Sequence, residues 1–162
     1  MKIVYLNSKI AVFFVVFVLG YTSPYSATAD YKMPTADMMP ADVLIVQLEA
    51  LKNNDTPFAD FGIRQTYTFA HPENKARTGP VQRFKKMLYG QYYKVLINHK
   101  AHSFNLISNS QSSATYKVTI IDANDKNFDF IWNITKYTAA GLLQNCWLTL
   151  SVSIPLRNSN SI

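Results

Sequence analysis

A chain of 162 residues with a formal net charge of +6 and a single cysteine is long enough to bury one hydrophobic core without a metal. The lone Cys146 excludes an intramolecular disulfide, so stability must come from packing. No glycine-rich phosphate loop, Gly-x-Ser-x-Gly elbow, internal repeat or low-complexity segment occurs, which removes the most readily recognised enzyme classes.

At the N-terminus, Lys2 and Lys9 precede an apolar run from Ile10 to Tyr21, followed by Pro24 and the small-residue triplet Ala27-Thr28-Ala29. This is the layout of a cleaved secretory signal over residues 1–29, with the cut expected after Ala29. The run is shorter than the roughly 20 residues that a hydrocarbon core requires, so no stable membrane anchor is expected. No cysteine closes the leader and no arginine pair opens it, which argues against lipidation and twin-arginine export. The expected product is an exported protein, periplasmic or secreted, for which a nucleic-acid partner is not expected. Subtracting Lys2 and Lys9 from the 16 basic residues leaves 14 against 10 acidic ones, a mild surplus.

Residues 30–40 hold Pro34 and Pro40 without periodicity and read as an extended lead-in, residues 41–155 as a single domain, and residues 156–162 as a tail. Pro40 suits a first helical position, Asp42 favours the helix dipole, and Leu44, Leu48 and Leu51 form an apolar stripe that Lys52 and Asn53-Asn54 close. A second helix is predicted from Phe61 to Ala70, with Asp60 as N-cap and a stop imposed on His71 by Pro72. Gly79-Pro80 opens a third, ended by Gly90, with Val81, Phe84, Met87 and Leu88 on one side.

Arg83 and Lys86 lie opposite that side and Lys85 nearer its edge. They belong to a stretch from Lys75 to Lys100 that contains no Asp or Glu. The three form a candidate basic patch for an envelope-associated partner, although an amphipathic helix alone accounts for them. Tyr92 to Ile97 fits either a strand or a continuation of the third helix.

After Gly90 the period changes to 2. His102-Phe104-Leu106, Tyr116-Val118-Ile120, Phe128-Phe130-Trp132-Ile134 and Cys146-Leu148-Leu150-Val152 alternate with polar positions and read as four antiparallel strands with one buried face. Turn formers at Asp122 to Asn127 and Gly141 favour a meander. Helices followed by strands define an α+β fold.

The combination Val43-x-x-x-Gln47-Leu48-x-x-Leu51, Asn54-Asp55, Tyr67-x-Phe69-Ala70, Gly79-Pro80-x-x-Arg83-Phe84, Tyr92 and Cys146-Trp147 resembles the family named domain of unknown function 4864. The resemblance spans about Ala41 to Pro155. It implies N-terminal helices packed on a curved, cone-shaped antiparallel sheet of nuclear-transport-factor-2-like or cystatin-like type, and it brings no activity, cofactor or catalytic residue.

Candidate chemistry is sparse. No histidine pairs with a carboxylate or a second histidine at metal-ligand spacing, so neither metal nor cofactor is expected. His71 is accounted for by Pro72, and His99 by a polar connection beside Lys100. His102 alone among ionisable residues alternates onto the apolar face, where it could act as an acid or base. Asp129 alternates outward, and Cys146 in line with Leu148 behaves as a small apolar residue.

The expected pocket is therefore apolar, lined by His102, Phe104, Tyr116, Phe130 and Trp132, and suited to a small apolar ligand or a protein partner. Ile131 and Trp147 alternate outward and would centre a homodimer contact if they adjoin. The composition favours a non-catalytic binding module over a pocket enzyme that uses His102.

Overall fold

The computed structural model describes residues 30–156. The leader read over 1–29 and the tail beyond residue 156 lie outside the described residues. Among the described residues no helix is long and apolar enough to cross a membrane.

Four helices precede the sheet: α1 Pro40–Lys52, α2 Phe61–Thr68, α3 Pro72–Thr78 and α4 Val81–Leu88, followed by a 3-10 turn at Lys94–Leu96. Helix α1 begins as its sequence dictates. Pro40 occupies the first turn, and the Asp42 carboxylate accepts from the Met39 backbone N–H at 2.8 Å. Its stripe of Val43, Leu44, Leu48 and Leu51 is wholly buried, each side chain contributing about 1.5–3 kcal/mol. Helix α2 lies close against α1 because Gly62 has no side chain: a Cβ there would sit 1.9 Å from the Ala50 carbonyl oxygen.

The sheet is an antiparallel meander in the order β1 Ala101–Asn109, β2 Ser113–Ile121, β3 Asn127–Lys136 and β4 Trp147–Val152. Bulges in β1 at Ile107 and in β4 at Leu150 bend it into a curved sheet. Its concave face and the helices enclose the core around Leu44, Ile63, Phe69, Phe84, Ile120, Phe130 and Trp132. This is the α+β architecture predicted above. Tyr116, Val118 and Ile120 on β2 face inward with Phe130, Trp132 and Ile134 on β3, as the alternation requires.

Four features differ from the sequence-based expectation. Pro72 does not merely stop α2: it opens the additional helix α3, because proline at the first helical position forfeits no bond, and the His71 ring accepts from Glu73 N as a cap. Asp60 precedes α2 in a left-handed conformation (φ 64°) and makes no side-chain cap, its carboxylate being turned toward α4. Tyr92 to Ile97 is neither strand nor helix but contains the 3-10 turn.

The fourth difference is in β4. Asn133 pairs with Ser151 but Ile134 with Thr149, so Leu150 has no partner and the alternation reverses there. Trp147 and Thr149 consequently face the core, and Trp147 is 7% exposed rather than outward. It shares no face with Ile131, and the pair read as a homodimer centre does not exist. On β1, Leu106 is half exposed despite its inward register, in a part of the strand left uncovered among the described residues.

Candidate functional site

A cavity of about 150 Å³ opens between the helices and the β3–β4 end of the sheet. Its apolar wall is Leu51, Phe84, Leu88, Tyr93, Leu96 and Trp132, and its mouth carries Met87, Thr78 and Arg77. The site exists because the β4 bulge brings Thr149 inward, opposite the one polar residue on the α1 stripe, Gln47.

These two residues and Trp132 build a buried polar base. The Gln47 Oε1 accepts from Thr149 Oγ1 at 2.6 Å and from Trp132 Nε1 at 3.2 Å, while Gln47 Nε2 donates to the Thr66 carbonyl at 3.0 Å. Trp132 Nε1 also donates to Thr149 Oγ1 at 3.1 Å. Thr149 is further held through its backbone, its N–H donating to the Phe69 carbonyl and its own carbonyl accepting from His71 N and Asn74 Nδ2. Among the described residues no buried side-chain polar atom lacks a partner, so each polar atom of the base is held by at least one bond.

Nothing at this base titrates near neutrality. Thr149 donates its hydroxyl proton to an amide oxygen, not to a base that could activate it. The Tyr93 hydroxyl donates to the Val152 carbonyl at 3.2 Å, and burial pushes its phenol up. At the mouth, Arg77 Nη2 donates at 2.7 Å to the carbonyl of Leu150, the bulged residue that β3 leaves unpaired. Glu73 lies 3.9 Å from the same guanidinium.

The five residues expected in the pocket are not brought together. Trp132 lines the cavity. Phe130 packs behind it, stacked on Tyr93 at 6.5 Å between ring centroids. Tyr116 pairs with Trp132 across the sheet and meets Phe104 edge-on at 5.7 Å, both away from the cavity. His102 faces inward but lies elsewhere, against α1.

There it forms a chain that sequence spacing did not signal. His99, 3% exposed rather than in open connection, places Nδ1 2.8 Å from the Leu96 carbonyl and Nε2 2.7 Å from His102 Nδ1. The carbonyl only accepts, so His99 carries its proton on Nδ1. His102 then donates from its own Nδ1, which leaves its Nε2 bare, 3.5 Å from Glu49 Oε1. Burial pushes both imidazoles below their ordinary value; Glu49 opposes this and Lys52 adds to it. The two rings spend their facing nitrogens on each other, and among the described residues no group of three or more His, Cys, Asp or Glu could hold a metal.

The basic patch also divides. Lys85 turns to the Asp60 carboxylate, which accepts as well from the Tyr89 hydroxyl at 2.7 Å. The Lys85 ammonium holds Asp60 below the usual carboxylate range, and the same carboxylate pushes the Tyr89 phenol up to about 12. Arg83 and Lys86 instead line a shallow basin together with Arg77, Thr78 and Met87. Cys146 is buried, and burial pushes its thiol up, away from the reactive thiolate.

Gln47 was legible as a polar residue within an apolar stripe; Thr149 was not, because only the bulge turns it inward. A family model described as Domain of unknown function (DUF4864) matches residues 35–159. No curated protein and no solved structure matches the chain.

Proposed function

We propose that this chain, which belongs to the DUF4864 family, is an exported, non-catalytic module that binds a small, largely apolar molecule in the cavity over Trp132. Export rests on the leader pattern of residues 1–29. The observation that carries binding is the cavity itself: about 150 Å³, walled by Leu, Phe and Trp, with the polar groups of its base, Gln47, Thr149 and Trp132, bonded to each other. A space of that size and lining accommodates a ligand of roughly benzene dimensions. Catalysis would require a titratable or nucleophilic group aimed into the same space, and the two histidines that could move a proton lie outside it.

Thermal unfolding of the chain beginning at Asp30 in the presence of small aromatic and branched aliphatic alcohols tests the reading. A binder present at 100 times its Kd adds about 2.7 kcal/mol. Met87→Trp narrows the mouth from a half-buried position on α4 and should abolish that gain while leaving the unliganded protein folded. Absence of any stabiliser, or an undiminished gain in Met87→Trp, refutes it.

A further inference from the structure

The mouth of the cavity is not neutral. The basin beside it shares Arg77, Thr78 and Met87 with the cavity and adds Arg83 and Lys86. Among the described residues neither Arg83 nor Lys86 has a carboxylate partner, whereas Lys85, one position away, is committed to Asp60 on the other side of α4. Among the described residues the one carboxylate paired with this rim is Glu73, at 3.9 Å from Arg77.

The cations are also placed rather than merely present. Arg77 is anchored by its bond to the Leu150 carbonyl, which fixes one edge of the guanidinium and leaves its other N–H groups for an acceptor. The Arg83 stem lies over Gly79, where a Cβ would come within 2.7 Å of Arg83 Cδ. At this position (φ +80°) glycine is the residue that both ends α3 in such a conformation and leaves room for that stem. Its carbonyl is held in turn by the Tyr67 hydroxyl at 3.0 Å.

An apolar cavity that opens beside three cations complements a molecule with the same division. We infer that the ligand is a small amphiphile: an apolar body about the size of one aromatic ring, seated over Trp132, and an oxyanion head, carboxylate, sulfate or phosphate, held at the basin by Arg77, Arg83 and Lys86. The inference rests on the binding reading above and names the ligand class for the same cavity. Guanidinium groups suit such a head because they offer paired donors, while the ammonium of Lys86 adds charge.

Calorimetric titration with 3-phenylpropanoate and with 3-phenylpropanol, which share the apolar body, separates the inference from the reading beneath it. The carboxylate should bind about tenfold tighter or better at low ionic strength, and the preference should shrink as added salt screens the exposed basin. Arg83→Gln combined with Lys86→Gln should remove most of the preference and leave the alcohol's affinity unchanged, since both side chains are exposed. Equal binding of the two compounds overturns the inference and leaves the cavity reading intact. A preference that survives in the double variant places the head elsewhere and also overturns it. If neither compound binds, both fall, and that holds equally where the chain instead associates with vesicles of anionic phospholipid, which would make the basin a membrane-surface contact.

Discussion

Two polar clusters are built on the same helix two residues apart, and they are opposites. Gln47 reaches Trp132 and Thr149 beneath a cavity, in a network without an ionisable member. Glu49 reaches His102 and, through it, His99, where a proton has somewhere to go, but neither histidine lines that cavity. An enzyme of this size would need the properties of both in one place. Here the space and the proton chemistry are on different faces of α1, which is the physical reason for reading the cavity as a binding site.

The largest effects should come from the tryptophans. Trp132→Ala and Trp147→Ala should each cost about 3–5 kcal/mol in urea unfolding, because both are truncations in the core. Alternation alone would make the second cheap, so a small loss at Trp147 would mean that the β4 bulge is absent and that Thr149 does not face Gln47. Next in size is Gln47→Leu, which leaves the Thr149 hydroxyl without its closest acceptor. It should cost about 1–3 kcal/mol, equally at pH 5 and pH 8. A cost that varied with pH would tie this network to the histidines and erase the contrast.

The same division governs how much of the molecule was legible in its sequence. The alternation of Tyr116 to Ile120 and Phe128 to Ile134 fixes which face of β2 and β3 is buried, because a period of 2 admits no other placement in an unbulged strand. In β4 the same rule fails at Leu150, an ordinary residue that nothing in the sequence distinguishes as a bulge. The polar base of the cavity was hidden with it. Helix α3 was missed for a different reason: Pro72 can equally end the helix before it or begin a helix after it, and only packing on β4, through Asn74 and Thr149, decides. The His99–His102 contact joins a turn to a strand, where neither helical nor strand spacing applies.

The titratable cluster can be sharpened by pH. Burial holds His99 and His102 below their ordinary pKa of 6.5, as it does His71, so the unfolded chain takes up protons that the folded chain refuses. Stability is then full above about pH 6.5 and declines as the pH falls through that value, by at most about 1.4 kcal/mol per pH unit for each proton. Below the ordinary carboxylate value of 3.8 a second loss sets in as Asp60 is protonated and its contact with Lys85 weakens. His102→Gln should flatten the first decline by one proton's contribution. An unchanged slope would show that His71 and His99 carry it without His102.

The smallest effect, and the most diagnostic, is expected from Glu49→Gln. Glu49 is about half exposed and stands 3.5 Å from His102, so at pH 7.5, where His102 is neutral, the substitution should change stability by no more than about 0.5 kcal/mol. In acid the sign is set by what the carboxylate does to the imidazolium. It is the one group that raises the His102 pKa against burial and Lys52. Removing it pushes that pKa lower still, the folded chain refuses the proton over a wider range, and the decline below pH 6.5 should become deeper in the variant than in the parent. Unfolding free energies measured at pH 5 and pH 7.5 give the comparison directly, and an imidazole titration followed by NMR gives the shift. A variant that is more resistant to acid than the parent would mean that Glu49 does not face the bare nitrogen, and that the proton order assigned to the histidine chain is reversed.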